Sequence, residues 1–388
     1  SINDLIESNF NKIKYFKSNY KKILLSKDNR VFLGLATVVI LTLSYFLVPT
    51  FYSKDLIQSQ FKNQIFKNYN INIKFNEKIN YGLLPKPHFS AKNATIIREK
   101  KEIASINNLK MFIEINQFFS KDDIKIKDLI FKSADFNISL KDFLFFQELL
   151  KTEPHENKIF IKDSNIFFKN ENDEVLFINK IKSSKFYYDS NNLQNVLQSK
   201  NEVFNVPYTL TVKNDKFNKY VSIRFNSKKI RLTVESKNSY DKKIKDGFLE
   251  MLFINKSTKL NYQLKKNSLT FLSKDNKNSY KGLIDFKPFY LTANFNYEGI
   301  SSKNLLNKDS ILIDLINSEI LNNRNLSANI NFNIKNITNI NELNNLDLKT
   351  SIEEGNINFS NSTIMWKEDL EITFSESLLS VDDDGINL

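Results

Sequence analysis

The 388-residue chain contains no cysteine. That absence removes disulfides, thiolate metal ligands and cysteine nucleophiles together. A translocated chain so composed is held by burial and strand pairing alone, which favours long sheets over small stapled modules. Histidine is scarce as well: His88 in PKPHFS and His155 in TEPHENK lie far apart, so a zinc site would draw most of its ligands from carboxylates. Both read as ordinary surface side chains. The seven glycines are too dispersed for either the dinucleotide-binding or the P-loop spacing, and no Gly-x-Ser-x-Gly elbow occurs.

The carboxylates offer little more. Asp122–Asp123, Glu353–Glu354 and Asp382–Asp384 read as solvated turns. DDDG at 382–385 lacks the remaining ligands of a calcium loop and reads as a hairpin turn. No catalytic group, cofactor or metal site is expected, and the chain is not expected to be an enzyme. The net charge of +12 invites a nucleic-acid reading, but Arg30, Arg98, Arg224, Arg231 and Arg324 are scattered, and arginine is the side chain best suited to bidentate phosphate and guanine contacts. Nucleic acid is therefore not an expected partner. The wealth of Lys, Asn, Ile and Phe matches an AT-rich coding sequence, so the 34 phenylalanines are discounted as a signal.

What is present begins with residues 31–52, VFLGLATVVILTLSYFLVPTFY, which carry no charge and no polar face. As a helix they reach roughly 33 Å, enough to cross a hydrocarbon core of about 30 Å. A cleaved signal peptide would have a shorter apolar run followed by small residues, whereas Pro49, Phe51 and Tyr52 follow here, so a retained signal anchor is expected. Lys12, Lys14, Lys17, Lys21, Lys22, Lys27 and Arg30 precede the run against only Asp4, Glu7 and Asp28. The positive-inside bias then makes residues 1–30 a cytoplasmic tail and sends the bulk of the chain across.

Beyond the anchor, Leu56, Ile57, Phe61, Ile65 and Tyr69 recur at three- and four-residue steps, which predicts an amphipathic helix over 53–70, resting on the membrane or capping a sheet. From residue 71 the period changes to two. The plainest stripe runs Val206, Tyr208, Leu210, Val212; Val221, Ile223, Phe225; and Ile230, Leu232, Val234. Similar stripes continue through Leu249–Phe253, Leu260–Leu264, Leu291–Tyr297 and Leu326–Ile334, separated by Asn, Asp, Ser and Lys turns. The pattern predicts a mainly β chain, a long antiparallel meander over 71–388, with few helices: 141–151, 309–321 and a weaker one at 191–198. Such a sheet can fold into a sandwich, close into a barrel or curl into an open groove, and periodicity does not choose among them. A packed protein core is the default for the stripe.

The order of anchor, amphipathic helix, strand pair, Pro-containing turn and strand, seen in INIKFNEKINYG (71–82) and LLPKPHFSAKNATI (83–96), resembles the N-terminus of the AsmA family, bacterial inner-membrane-anchored proteins related to TamB. INNLKMFIEINQFFSKDDIKIKDLIFKSADFNISL (106–140), NVPYTLTVK (205–213) and EEGNINFSNSTIMW (353–366) fit the same layout. The likeness is specific from about Val31 to Leu140, and no catalytic residue belongs to it. Asn-rich sequence near Asn70 and Asn76 replaces the usual Gly of the first strand pair. Ser1 and the stop at Gly385-Ile-Asn-Leu, within what reads as a strand start, lead us to expect further sequence at both ends.

The resemblance implies a curled antiparallel sheet with an apolar groove in the periplasm. It implies a role in phospholipid movement between inner and outer membranes, contributing to outer-membrane assembly. Under it the stripe from Val206 to Val234 becomes lipid lining. A different class of function stays open: a membrane-tethered assembly factor with a closed β core that binds envelope proteins. The topology is testable directly. Reporter fusions at Ser8 and Lys200 are expected to be active on opposite sides of the membrane, and activity on one side for both would reverse the assignment.

Overall fold

The computed structural model describes residues 27–98, 100–119, 124–139, 142, 149–152, 157–170, 172–239, 246–253, 256–265, 268–273, 278–286, 289–303, 327–382 and 385–387. Helix α1 (Lys27–Leu47) leads through a 3-10 turn (Val48–Phe51) into α2 (Lys54–Tyr69). The sheet opens with β1 (Asn72–Phe75), β2 (Asn80–Gly82), β3 (His88–Arg98), β4 (Lys101–Ile113) and β5 (Ile126–Ser139). It continues through β6 (Lys158–Lys169), β7 (Val175–Asp189), β8 (Gln194–Val203), β9 (Val206–Asp215), β10 (Tyr220–Ser227), β11 (Leu232–Ser239) and β12 (Asp246–Phe253). Next come β13 (Lys256–Leu264), β14 (Ser268–Ser273), β15 (Ser279–Phe286), β16 (Phe289–Ser301), β17 (Ser327–Thr338) and β18 (Leu343–Glu353). The last are β19 (Asn356–Asn358), β20 (Ser362–Trp366), β21 (Leu370–Phe374), β22 (Leu378–Asp382) and β23 (Gly385–Asn387).

From β3 to β18 each strand pairs with the next, forming one long sheet that does not close into a barrel. β1 and β2 both lie on the outer side of β3, and β19 and β20 both lie beside β18. Two pairs depart from the expected antiparallel meander: β5 with β6 and β16 with β17 run parallel. Parallel neighbours start at the same edge, so the chain must cross back, which takes a connection of about a dozen residues or more. Residues 140–157 and 302–326 provide it. The helices expected at 141–151 and 309–321 fall in these connections. Leu149 and Leu150 are helical, and apart from Asp142 and Lys151 the other positions lie outside the described residues.

The helix expected at 191–198 is a correction of a different kind. Residues 191–193 form a turn and Gln194–Val203 is strand β8, hydrogen-bonded to β7 and β9 on its two sides. The Asn195 amide is also tied to the Leu150 and Thr152 carbonyls, at 3.0 and 2.9 Å. Pairing on both edges outweighs a local helical spacing. His88 is likewise buried rather than on the surface, its ring 2.7 Å from the Lys86 carbonyl and 5.3 Å from Phe112. His155 lies outside the described residues.

Helix α2 turns one stripe, Ile57, Phe61, Ile65 and Tyr69, onto the first strands and buries it almost completely. Phe61 meets Phe89 edge to face at 5.3 Å. Gln64 bridges helix to sheet, donating to the Ile124 carbonyl and accepting from Ile126 N–H. The helix ends where Asn70 takes the left-handed conformation, φ 54°, and its N–H reaches the Phe66 carbonyl at 2.8 Å. Of the two placements the sequence allows, α2 therefore takes the capping one. Sheet turns are tight: Phe204 and Asn205, both with positive φ, close Val203 onto Val206, and Glu354 and Gly355 close β18 onto β19 in the same way. Asp382 pairs with Gly385, as a DDDG hairpin requires.

The packing makes a clear forecast for stability. Phe61→Ala is expected to cost about 3–5 kcal/mol, while Leu56→Ala, on the exposed side of the same helix, stays within about 0.5 kcal/mol. Thermal melts followed by circular dichroism check both, and equal losses would remove α2 from the core.

Candidate functional site

Side chains directly opposite one another in a β ladder leave the sheet on the same side. Following the pairing strand by strand therefore traces a face. One band runs Tyr81, Phe89, Met111, Leu129, Ile159, Phe186, Leu197, Val212, Ile223, Ser236, Leu249, Leu260. Beside it a second runs Ala91, Leu109, Phe131, Ile161, Ser184, Ser199, Leu210, Phe225, Val234, Met251. One face, apolar but for serines such as Ser184, Ser199 and Ser236, thus continues from β2 to β13.

Its burial is not uniform. Along the first band Leu129 is 0% exposed, Ile159 1%, Phe186 5% and Val212 8%, with Leu197 between the last two half-buried, whereas Ile223 reaches 37% and Leu260 returns to 2%. Two packed cores flank the open stretch. The first gathers α2 with the strands up to β8, and the second gathers Leu260, Tyr280, Tyr297 and Ile334 with Leu249, Met251, Phe271, Phe295 and Phe332 packed against them. Between them, on β9, β10 and β11, the face is only partly covered.

The residues singled out by alternation fall in that interval. Tyr208, Leu210, Val221, Phe225, Leu232 and Val234 are half-buried, Ile223 is exposed, and Val206 and Val212 are buried at the edge nearer the first core. Tyr208 and Phe225 stand with ring centroids 5.0 Å apart. Ile230 is the exception: it lies in the turn between β10 and β11, outside both strands, because the strand resumes only at Leu232. The opposite face is polar, where Arg224 pairs with Glu235 at 3.0 Å and Glu250 and Lys259 continue the same register.

Alternation alone did not single out the polar stations set into the apolar face. Ser184, Ser199 and Asn201 sit on it, buried, with the Ser199 hydroxyl donating to Asn201 at 2.6 Å. The Tyr208 hydroxyl donates to Asn179 Oδ1 at 2.8 Å, and burial pushes its pKa up to about 12 against the pull of Asn201. Ser184 lies two residues before Phe186, and Ser199 and Asn201 lie two and four after Leu197, in the phase of the apolar side chains of their strands, which is the signal by which they could have been found. Tyr81 at the head of the band is also pushed up to about 12 by burial. Among the described residues no group of three or more His, Asp and Glu is placed to hold a metal ion.

One end of the open stretch is set by the turn between β9 and β10. Asp215, buried, accepts from Asn218 N–H at 2.8 Å, from the Asn218 amide at 2.9 Å and from Gln194 Nε2 at 3.1 Å. This clamp fixes the register in which Val212 faces Ile223 across the two strands. No protein-family model matches the chain, and no curated protein matches it.

The clamp carries a pH signature. Burial raises the Asp215 pKa, but the hydrogen bonds from Asn218, Gln194 and Tyr220 outweigh it, so the carboxyl is held below its ordinary range. A depressed carboxyl contributes stability that is present above its unfolded value and is lost as pH falls through the folded one. Asp215→Asn is therefore expected to lower Tm at neutral pH, with the gap to the parent protein closing as the pH is taken below the carboxylate range. A gap independent of pH would mean that the charge contributes nothing.

Proposed function

We propose that the protein is an AsmA-like factor, held by its apolar helix in a bacterial inner membrane with the N-terminus in the cytoplasm. Its sheet stands in the periplasm and passes phospholipid along an apolar groove toward the outer membrane. The observation that carries this reading is the interval on β9 to β11, where a face continuous with two packed cores is left partly open. A chain evolved only to hide that face would bury it throughout, since apolar area left in water forgoes about 25 cal/mol per Å². An acyl chain laid on it recovers that energy, and leaving the acyl chain in water costs about 0.8 kcal/mol per methylene.

The helix that would anchor the protein supports the same reading. Val31–Phe51 is long and apolar enough to cross a membrane, and from Val31 to Ser44 every residue but Ala36 is exposed. It joins the end of the sheet that α2 caps, so the first core would stand between the bilayer and the open interval. Transfer of this kind needs no catalytic residue. The buried Ser199 and Asn201, with the half-buried Tyr208, give the groove a polar station beside the open interval.

The second reading, an assembly factor that binds envelope proteins, draws on the far end of the sheet. Among the described residues β21 pairs only with β20, and all five of its residues are exposed, Leu370, Ile372 and Phe374 included. Such an edge is suited to accept a strand from a partner.

Two substitutions on one band separate the readings. Ile223→Asp, at the exposed position, is expected to shift Tm little while reducing the phospholipid that co-purifies in native mass spectrometry. Leu129→Asp, at a position with no exposure, is expected to cost several kcal/mol or prevent folding. Collapse of both variants would mean the interval is a packed core, and retention of lipid by a folded Ile223→Asp protein would move the function to the β21 edge.

A further inference from the structure

The junction between helix α1 and the sheet carries more than a tether. Three tyrosine hydroxyls close it, each donating to a backbone carbonyl on the other element: Tyr45 to Ile115 at 2.5 Å, Tyr52 to Phe118, and Tyr81 to Phe46 at 2.5 Å. Tyr45 stacks on Phe118 and Phe46 meets it edge to face, with centroids 5.3 and 6.0 Å apart, and Tyr45 packs on Phe119 at 5.1 Å. Tyr45 lies six residues before the end of the apolar span at Phe51, so at about 1.5 Å per residue it sits roughly 9 Å inside that end. The loop after β4 is bound to the helix at that depth.

The residues around this junction are not those of a water-facing edge. Leu84 is 82% exposed, Phe119 72%, Phe51 86% and Ile115 48%. Leu84 belongs to the loop before β3, and Ile113 N–H meets the Pro87 carbonyl at 3.3 Å, so the loops before β3 and after β4 share one edge. Turns at the opposite edge are polar, as in Asn170, Asn172 and Asp173 between β6 and β7. In hydrocarbon, backbone carbonyls must find donors within the protein, and tyrosine is favoured at the boundary between acyl chains and headgroups. The Ile115, Phe118 and Phe46 carbonyls have such donors, all tyrosines. Lys86 stands exposed beside Leu84, where it can meet lipid phosphate.

We infer that the loops carrying Leu84, Ile115 and Phe119 insert into the headgroup and upper acyl region of the bilayer that α1 crosses, so that the sheet is seated in the phospholipid surface rather than suspended above it. The inference rests on the reading of Val31–Phe51 as a membrane span. It brings the capped end of the sheet into direct contact with lipid. The occupant of this patch is the phospholipid surface itself.

The lack of cysteine allows single labels in the full chain. Leu35→Cys, Leu84→Cys, Phe119→Cys and Asn172→Cys, each carrying an environment-sensitive fluorophore, would be reconstituted in vesicles of phosphatidylethanolamine and phosphatidylglycerol with nitroxide at the headgroup or deep in the chain. All four side chains are exposed, so folding is expected to survive, and circular dichroism checks it. The label at 35 is expected to lose intensity to the deep nitroxide. Those at 84 and 119 are expected to shift to the blue and lose intensity to the shallow one, and that at 172 to respond to neither. If 35 is quenched while 84 or 119 behaves like 172, the seat is overturned and the anchor stands. If 35 is not quenched, the span reading falls and the seat falls with it.

Discussion

Because opposed side chains in a β ladder share a face, a single slip of register anywhere between β3 and β13 would break the apolar band and turn the remainder of the sheet over. Everything else depends on that register holding. It is maintained by ordinary backbone pairing, by tight turns such as Phe204–Asn205, and by side-chain ties at the edges, of which the Asp215 clamp is the most developed. Buried polar groups help where the pairing changes sense: the Ser164 hydroxyl of β6 accepts from Ala134 N–H of β5 and donates to the Lys162 carbonyl of its own strand. On the outer face of the other parallel pair, Asn331 and Asn333 bond Asn294 and Asn296 at 2.9 and 3.0 Å, an amide ladder that locks β17 to β16.

Given that register, coverage decides how each part of the face is used. Helix α2 supplies a second layer only for the first strands, where Phe61 and Ile65 fill the space above Phe89. Beyond its reach a helical turn at Leu149 and Leu150 lies over β8 and β9, where the Asn195 and Asn214 amides donate to the Leu150 carbonyl, and farther along burial comes from the sheet's own large side chains. Tyr280 and Tyr297, almost fully buried with centroids 5.3 Å apart, provide it in the second core. The strands in between carry Val, Ile, Leu and single aromatics, too small to bury one another from one layer. A stable first core and a less covered middle are two outcomes of one pattern.

Without cysteine, the large rigid aromatic contacts take the part that staples play in smaller extracellular modules. They are concentrated where elements must keep a fixed relation, at the helix junction and in the second core. The proposed lipid path runs between these two rigid regions.

The alternating stripes of Leu210, Ile223 and Val234, and the helical stripe of Ile57, Phe61, Ile65 and Tyr69, were legible in the sequence because each element's period is imposed by its own backbone geometry. The apolar helix was legible for the same reason, its length and lack of charge being local properties. Ile230 misled because an apolar residue in a turn keeps the phase of a strand it does not belong to, and 191–198 misled because pairing partners distant in sequence outbid a local spacing. Periodicity is blind to neighbours, so it could not tell that β5 and β16 pair in parallel with the next strand, that His88 is buried with its ring at the Lys86 carbonyl, or that Asn201 lies opposite Tyr208. Least of all could it say which part of the stripe lies open. The sequence by itself determined which residues share a face; only the tertiary structure decided that Leu129 is sealed and Ile223 is not, because exposure is set by what another segment places above a side chain.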